Sequence, residues 1–114
     1  MADTEIRAKG RFLRFSAYKG RIVASQVKGK PIGEALQLLK FSPKIGAAPA
    51  MYKIMASALA NAQQKEGVDL DALYVKNVLV DGGPIMKRVR FRARGRVDRL
   101  LKRMCHVVVI LDQR

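Results

Sequence analysis

The chain has 114 residues with 23 lysines and arginines against nine acids, a net charge of +14 and a pI near 10.7. An apolar fraction of 49% is too high for a disordered basic tail and suits one modest core. One cysteine excludes an intrachain disulfide and fits a reducing compartment, and the longest apolar stretch, Val107–Leu111, is far too short to span a bilayer.

Met1–Glu5 has no apolar run of the kind a secretory signal needs, and its early acids are unlike a mitochondrial transit peptide. The expectation is a soluble intracellular protein with no membrane partner. Glu5–Phe12 alternates, with Ile6, Ala8, Gly10 and Phe12 on one face and Arg7, Lys9 and Arg11 on the other. That pattern predicts a half-buried strand with a basic outer face. Ser16 is placed to cap a helix over about Ala17–Val27, ended by Gly29 and Pro31, with Ala17, Val23, Ala24 and Val27 inward. A short helix, roughly Ile32–Phe41, carries Ala35, Leu36, Leu38 and Leu39 toward the core.

Ser42-Pro43 reads as the start of a third helix, hydroxyl as N-cap and proline first. Ala48, Met51, Met55, Ala58, Leu59 and Ala62 recur along it at helical steps until Glu66-Gly67. Its alanines predict close packing on a sheet or a neighbouring helix. An acidic turn (Val68–Asp71) leads into a strand over Leu73–Val80, which Gly82-Gly83-Pro84 is expected to break. Met104–Leu111, apolar at nearly every position, reads as a central strand.

Between these strands lie nine cations in seventeen residues (Lys87, Arg88, Arg90, Arg92, Arg94, Arg96, Arg99, Lys102, Arg103) and one acid, Asp98. From Arg88 to Arg96 arginine holds every second position, which in one extended strand would set five guanidiniums on one edge. No compact domain buries such charge unpaired. The fitting arrangement is a hairpin longer than its domain, reversing at Gly95, with a free basic tip. A second patch comes from eight cations and no acid between Arg7 and Lys30 (Arg7, Lys9, Arg11, Arg14, Lys19, Arg21, Lys28, Lys30). A charge run is often only a solvated face. Here arginine occupies its centre, the guanidinium forks alternate strictly and the flanks lack compensating acids, so nucleic acid is the expected partner. Phe91 is placed either to stack on a splayed base or to pack on the opposite arm.

Catalytic readings are weak. Adjacent strand residues face opposite ways, so Cys105 and His106 cannot readily pair as thiolate and imidazole. One His and one Cys cannot build a four-ligand zinc site, and no Gly-Lys-Ser/Thr follows Gly83 as a phosphate loop requires. No enzyme, no metal and no cofactor are expected.

Asp81-Gly82-Gly83-Pro84-Ile85-Met86-Lys87-Arg88, Arg92-Ala93-Arg94-Gly95-Arg96 and Lys102-Arg103-Met104-Cys105-His106 together resemble the bacterial-type large-subunit ribosomal protein twenty-two family. Ser16–Ala24 with Gly29-Lys30, and Ala56–Asn61, agree in the same order. The chain departs at Phe91, where the family usually has proline, and at Met104-Cys105, where Thr-Ser is usual. The resemblance implies an α+β fold, three helices packed on a small three-stranded antiparallel sheet with a long projecting basic β-hairpin. It implies one ribosomal-RNA-binding domain over residues 1–114, its hairpin spanning about 84–99. The implied function is a structural constituent of the large ribosomal subunit that binds its RNA, supports assembly and helps line the nascent-peptide exit tunnel. Both basic sets would be RNA-binding, and Met86, Lys87, Arg88, Arg94, Gly95 and Arg96 would line the tunnel. Implied partners are large-subunit ribosomal RNA, neighbouring ribosomal proteins and the nascent peptide near the tip, in the cytoplasm or an organelle. A free architectural protein would instead bind DNA or diverse RNAs with little preference for fold.

Overall fold

The computed structural model describes residues 5–43, 46–65 and 67–113. In chain order these form β1 (Ile6–Leu13), α1 (Ala17–Val27), α2 (Ile32–Lys40), α3 (Ala47–Gln64), β2 (Leu73–Phe91) and β3 (Val97–Gln113). The fold is α+β: three helices and an antiparallel sheet in the order β1-β3-β2. β3 is the central strand, as its apolar run implies.

The helices cover one face of the sheet. Ile6, Ala8, Val75, Val78, Val80, Val107, Val109 and Leu111 point into the core, against Val23, Val27, Met51, Met55 and Ala58 from the helices. Gly10 lets α3 approach β1 closely, since a Cβ there would sit 2.5 Å from Ile54 Cδ1. This is the tight packing that the alanine-rich helix predicts. Ser16 caps α1 through its Oγ, which accepts from the Lys19 N–H at 3.3 Å. After α1, Gly29 turns at φ +83°, and its N–H donates to the Val75 carbonyl at 2.8 Å.

Four expectations fail for local reasons. α3 starts at Ala47 after Gly46, not at Ser42-Pro43. Pro49 lacks the N–H that an interior helical position needs, and it is tolerated only in a first turn. A helix begun at Ser42 would place it inside. The proposed stop at Glu66 lies outside the described residues, and α3 ends at Gln64 with Lys65 as its cap. Leu38 is exposed on α2, while Ala35 and Leu39 carry the burial. Phe12 faces outward, because β1 has a register irregularity between Gly10 and Leu13.

The fourth concerns Gly82-Gly83-Pro84, which bulges the strand instead of breaking it. Gly82 pairs with Cys105 and Ile85 with Arg103, so Gly83 and Pro84 together face Met104. A Cβ on Gly83 would lie 3.3 Å from the Met104 backbone, and Pro84 has no N–H to waste at a bulge. β2 therefore continues to Phe91, and beyond Leu13↔Cys105 the sheet narrows to a two-stranded ribbon. The molecule measures 65 × 27 × 18 Å, its long axis reflecting that projection.

No core residue lies between Val80 and Cys105. Replacing Met86–Lys102 with an Asn-Gly turn should leave a cooperative thermal transition in circular dichroism, its midpoint within about 5 °C of the intact chain. Loss of cooperativity would show that the ribbon supports the core.

Candidate nucleic-acid interface

The arginine run does not lie along one edge. It folds back on itself: Arg88 and Arg90 are on β2, Arg92 starts the turn, Arg94 takes φ +63° and Gly95 φ +70°, and the Arg92 N–H donates to the Arg96 carbonyl at 2.7 Å. The reversal thus needs two left-handed residues, one of them an arginine.

Cross-strand register explains how so cationic a ribbon holds together. Its opposed pairs are Ile85↔Arg103, Met86↔Lys102, Lys87↔Leu101, Arg88↔Leu100, Val89↔Arg99, Arg90↔Asp98 and Phe91↔Val97. Within these seven pairs every cation stands opposite an apolar side chain or the acid, and none opposite another cation; Arg92 and Arg96, next in that register, face each other only where the turn begins. Directly opposed like charges destabilise antiparallel pairs, so this checkerboard is the arrangement that lets the ribbon form before any partner neutralises it. Asp98 also holds Arg92, with Nε to Oδ2 at 2.6 Å. Among the described residues that is the ribbon's one ion pair. Arg88 has only weak local contacts, to the Lys87 carbonyl and the Met86 sulfur. Phe91 is 82% exposed beside Val97.

The eight N-terminal cations do not assemble into one patch. Arg14 and Lys19 meet the hairpin root, lining a cleft of about 550 Å³ with Phe15, Ser16, Met86, Arg88, Leu101, Lys102 and Arg103. Five cations converge there and no carboxylate lines it. Arg7 and Lys9 alternate outward on β1, Arg7 paired with Glu5 at 3.1 Å. Arg11 lies at the bulge. The Arg21 guanidinium donates to the Val80 carbonyl at 3.1 Å, tying α1 to β2. Lys28 and Lys30 are at the far end of α1, about 16 Å along its axis, and Lys30 approaches Glu34 at 3.8 Å.

Acids gather elsewhere. Glu5 is hydrogen-bonded to Lys76, and Lys76 also lies 3.8 Å from Asp112, a group spanning the sheet away from the hairpin root. The hydrogen bond from Lys76 holds the Glu5 carboxyl below its usual range, and Glu5 holds the Lys76 ammonium above its own. These carboxylates are committed to the globular domain and leave the ribbon uncompensated.

The Cys105–His106 pair divides between faces, as strand geometry requires. Cys105 is fully buried, and burial pushes its thiol above the ordinary range, away from nucleophilic use. His106 faces outward, where Nδ1 accepts the Phe12 N–H at 3.1 Å. No group of three or more His, Cys, Asp or Glu that could hold a metal occurs among the described residues. The sequence reading missed the root cleft, which joins residues about seventy positions apart, and the outward Phe12.

The family model described as ribosomal protein L22p/L17e matches residues 8–112, which takes in the whole sheet apart from its extreme ends and the entire ribbon.

Two outcomes test this geometry. Leu101→Lys sets an ammonium opposite Lys87, costing about 0.2–1 kcal/mol of pairing. Amide exchange along 85–103 should accelerate about 1.4- to 5-fold, while Leu101→Val leaves it unchanged. At pH 8 the Cys105 thiol should react with an aromatic disulfide only at the unfolding rate; rapid labelling of folded protein would refute its burial.

Proposed function

Because this chain belongs to the ribosomal protein L22p/L17e family, and so is a structural protein of the large ribosomal subunit in the cytoplasm or an organelle, we propose that its cations hold large-subunit ribosomal RNA while the hairpin tip reaches the wall of the peptide exit tunnel. The observation that carries this reading is the root cleft. Arg14 and Lys19 from the globular domain meet Arg88, Lys102 and Arg103 from the ribbon there, with no internal acid to neutralise them. A phosphate backbone entering the cleft is held by both parts of the protein at once, which fixes the angle at which the ribbon leaves.

Beyond the cleft, Lys87, Arg90, Arg94, Arg96 and Arg99 are exposed along the ribbon and suited to flanking RNA strands. Such contacts position without reading sequence, so the specificity belongs to the fold of the RNA. Arg7, Lys9, Arg11, Lys28 and Lys30 supply separate outer contacts to RNA, and the rest of the globular surface meets neighbouring ribosomal proteins. The role is scaffolding: cations let RNA strands approach one another during assembly, and a protein finger braces the tunnel lining. No chemical step is assigned to the chain.

The tunnel-lining set divides in two. Met86 and Arg88 line the root cleft, whereas Arg94, Gly95 and Arg96 form the tip, roughly 15–20 Å away. The tip is the part set to meet the nascent peptide, with Arg94 in its left-handed turn presenting a guanidinium beyond the last paired residues.

Arg88→Gln with Arg103→Gln should weaken binding to folded large-subunit RNA and lower the slope of log affinity against log salt by about 1–2. In ribosomes carrying a photo-cross-linker at Arg94, stalled nascent chains should be captured. An unchanged salt slope would remove the cleft from the RNA interface, and cross-links to RNA alone would remove the tip from the peptide path.

A further inference from the structure

Phe12 is the large apolar side chain of β1 that the fold turns away from the core. Two residues of β1, Arg11 and Phe12, face the single residue His106 of β3, between the pairs Gly10↔Val107 and Leu13↔Cys105. The extra residue puts Phe12 at φ +57°, a conformation that side chains with a Cβ rarely adopt and a large aromatic gains nothing from by itself. Arg94, at the ribbon tip, is the other such residue among the described ones.

The distorted backbone is held deliberately in place. The Phe12 N–H, removed from the ladder, donates to His106 Nδ1 at 3.1 Å, which fixes the imidazole tautomer with its proton on Nε2. The two rings meet edge to face, centroids 5.1 Å apart and planes at 88°. His106 thus braces the phenyl ring, yet Phe12 remains 58% exposed. Beside it a shallow cleft of about 320 Å³ is lined by Lys9, Gly10, Arg11, Phe12, His106, Val107 and Val108. Two cations flank an open aromatic face. The carboxylate next to His106 in register, Asp81 on β2, is not part of that lining.

We infer that Phe12 is a stacking platform for one unpaired base of an RNA strand whose phosphates pass Lys9 and Arg11. The inference rests on the RNA-binding reading above and adds a site to it. Aromatic faces take any base, and adjacent cations hold the backbone on either side, so the site selects unpaired over paired RNA without selecting sequence. Inside a duplex every base is already stacked on both faces, so none there is free for the ring. The brace from His106 keeps the ring oriented before RNA arrives.

The test uses the full chain with Phe12→Leu, which keeps bulk and burial pattern without a π-face, and Phe12→Trp, which enlarges the face. The probes are a single-stranded octaadenylate and a blunt twelve-base-pair RNA duplex. Phe12→Leu should weaken octaadenylate binding about 5- to 150-fold and leave duplex binding within twofold. Phe12→Trp should bind octaadenylate at least as well as the parent, and its fluorescence, the only tryptophan signal in the chain, should be quenched at saturation. Equal effects of Phe12→Leu on both probes, no effect on either, or an unquenched tryptophan would overturn the inference while leaving general RNA binding intact. If the unaltered chain binds neither probe, the RNA-binding reading fails with it.

Discussion

The structure depends on keeping like charges from standing opposite one another along an antiparallel ribbon. A two-stranded hairpin is marginal in water even when neutral, and this one carries nine cations. Register makes it possible. Each charge in the paired stretch of one strand meets Leu, Val, Ile, Met or Asp98 on the other, and like charges face each other only at Arg92 and Arg96 beside the turn, so the apolar stems of lysine and arginine pack on hydrophobic neighbours.

That register is anchored in the globular domain. β2 and β3 enter the ribbon directly from the sheet, and two bulges bracket the exit. One lies in β1 opposite His106, the other in β2 opposite Met104. Extra residues on both neighbours of β3 bend the sheet where three strands become two. Gly83 lets the backbones close there, and Arg21 ties α1 to the Val80 carbonyl just inside. At that exit Arg14 and Lys19 share a cleft with Arg88, Lys102 and Arg103 of the ribbon root. No carboxylate lines that cluster, and Glu5 and Asp112 are engaged by Lys76 and Arg7 on the far part of the sheet.

Much of this is legible in the sequence wherever one periodicity runs unbroken. β3 is apolar at almost every position and is central; the α3 pattern from Ala48 to Ala62 gives its buried face. The reading fails where two signals compete. In β1 the inward residues are Ile6, Ala8 and Gly10, but Leu13 and Phe15 continue on the opposite phase, a shift that only an inserted residue explains. Extending the first phase to Phe12 misses the bulge. At α3, Ser42-Pro43 resembles a start signal, yet Pro49 sets the boundary because its missing N–H is tolerated only near the beginning of a helix. In the arginine run, strict alternation implies one strand, while Gly95 implies a reversal inside it; the reversal wins and takes Arg94 with it. The root cleft has no local signal at all. It exists only once Arg14 and Lys102 are brought together through the sheet.

A high-resolution reconstruction of large ribosomal subunits containing this chain tests the central claim most directly. The ribbon's staggered cations are complete only against RNA. Arg88, Lys102 and Arg103 should then be seen at ion-pair distance from phosphates, together with Arg14 and Lys19 at the root. A ribbon standing in solvent, or with those five side chains satisfied by protein carboxylates, would contradict it.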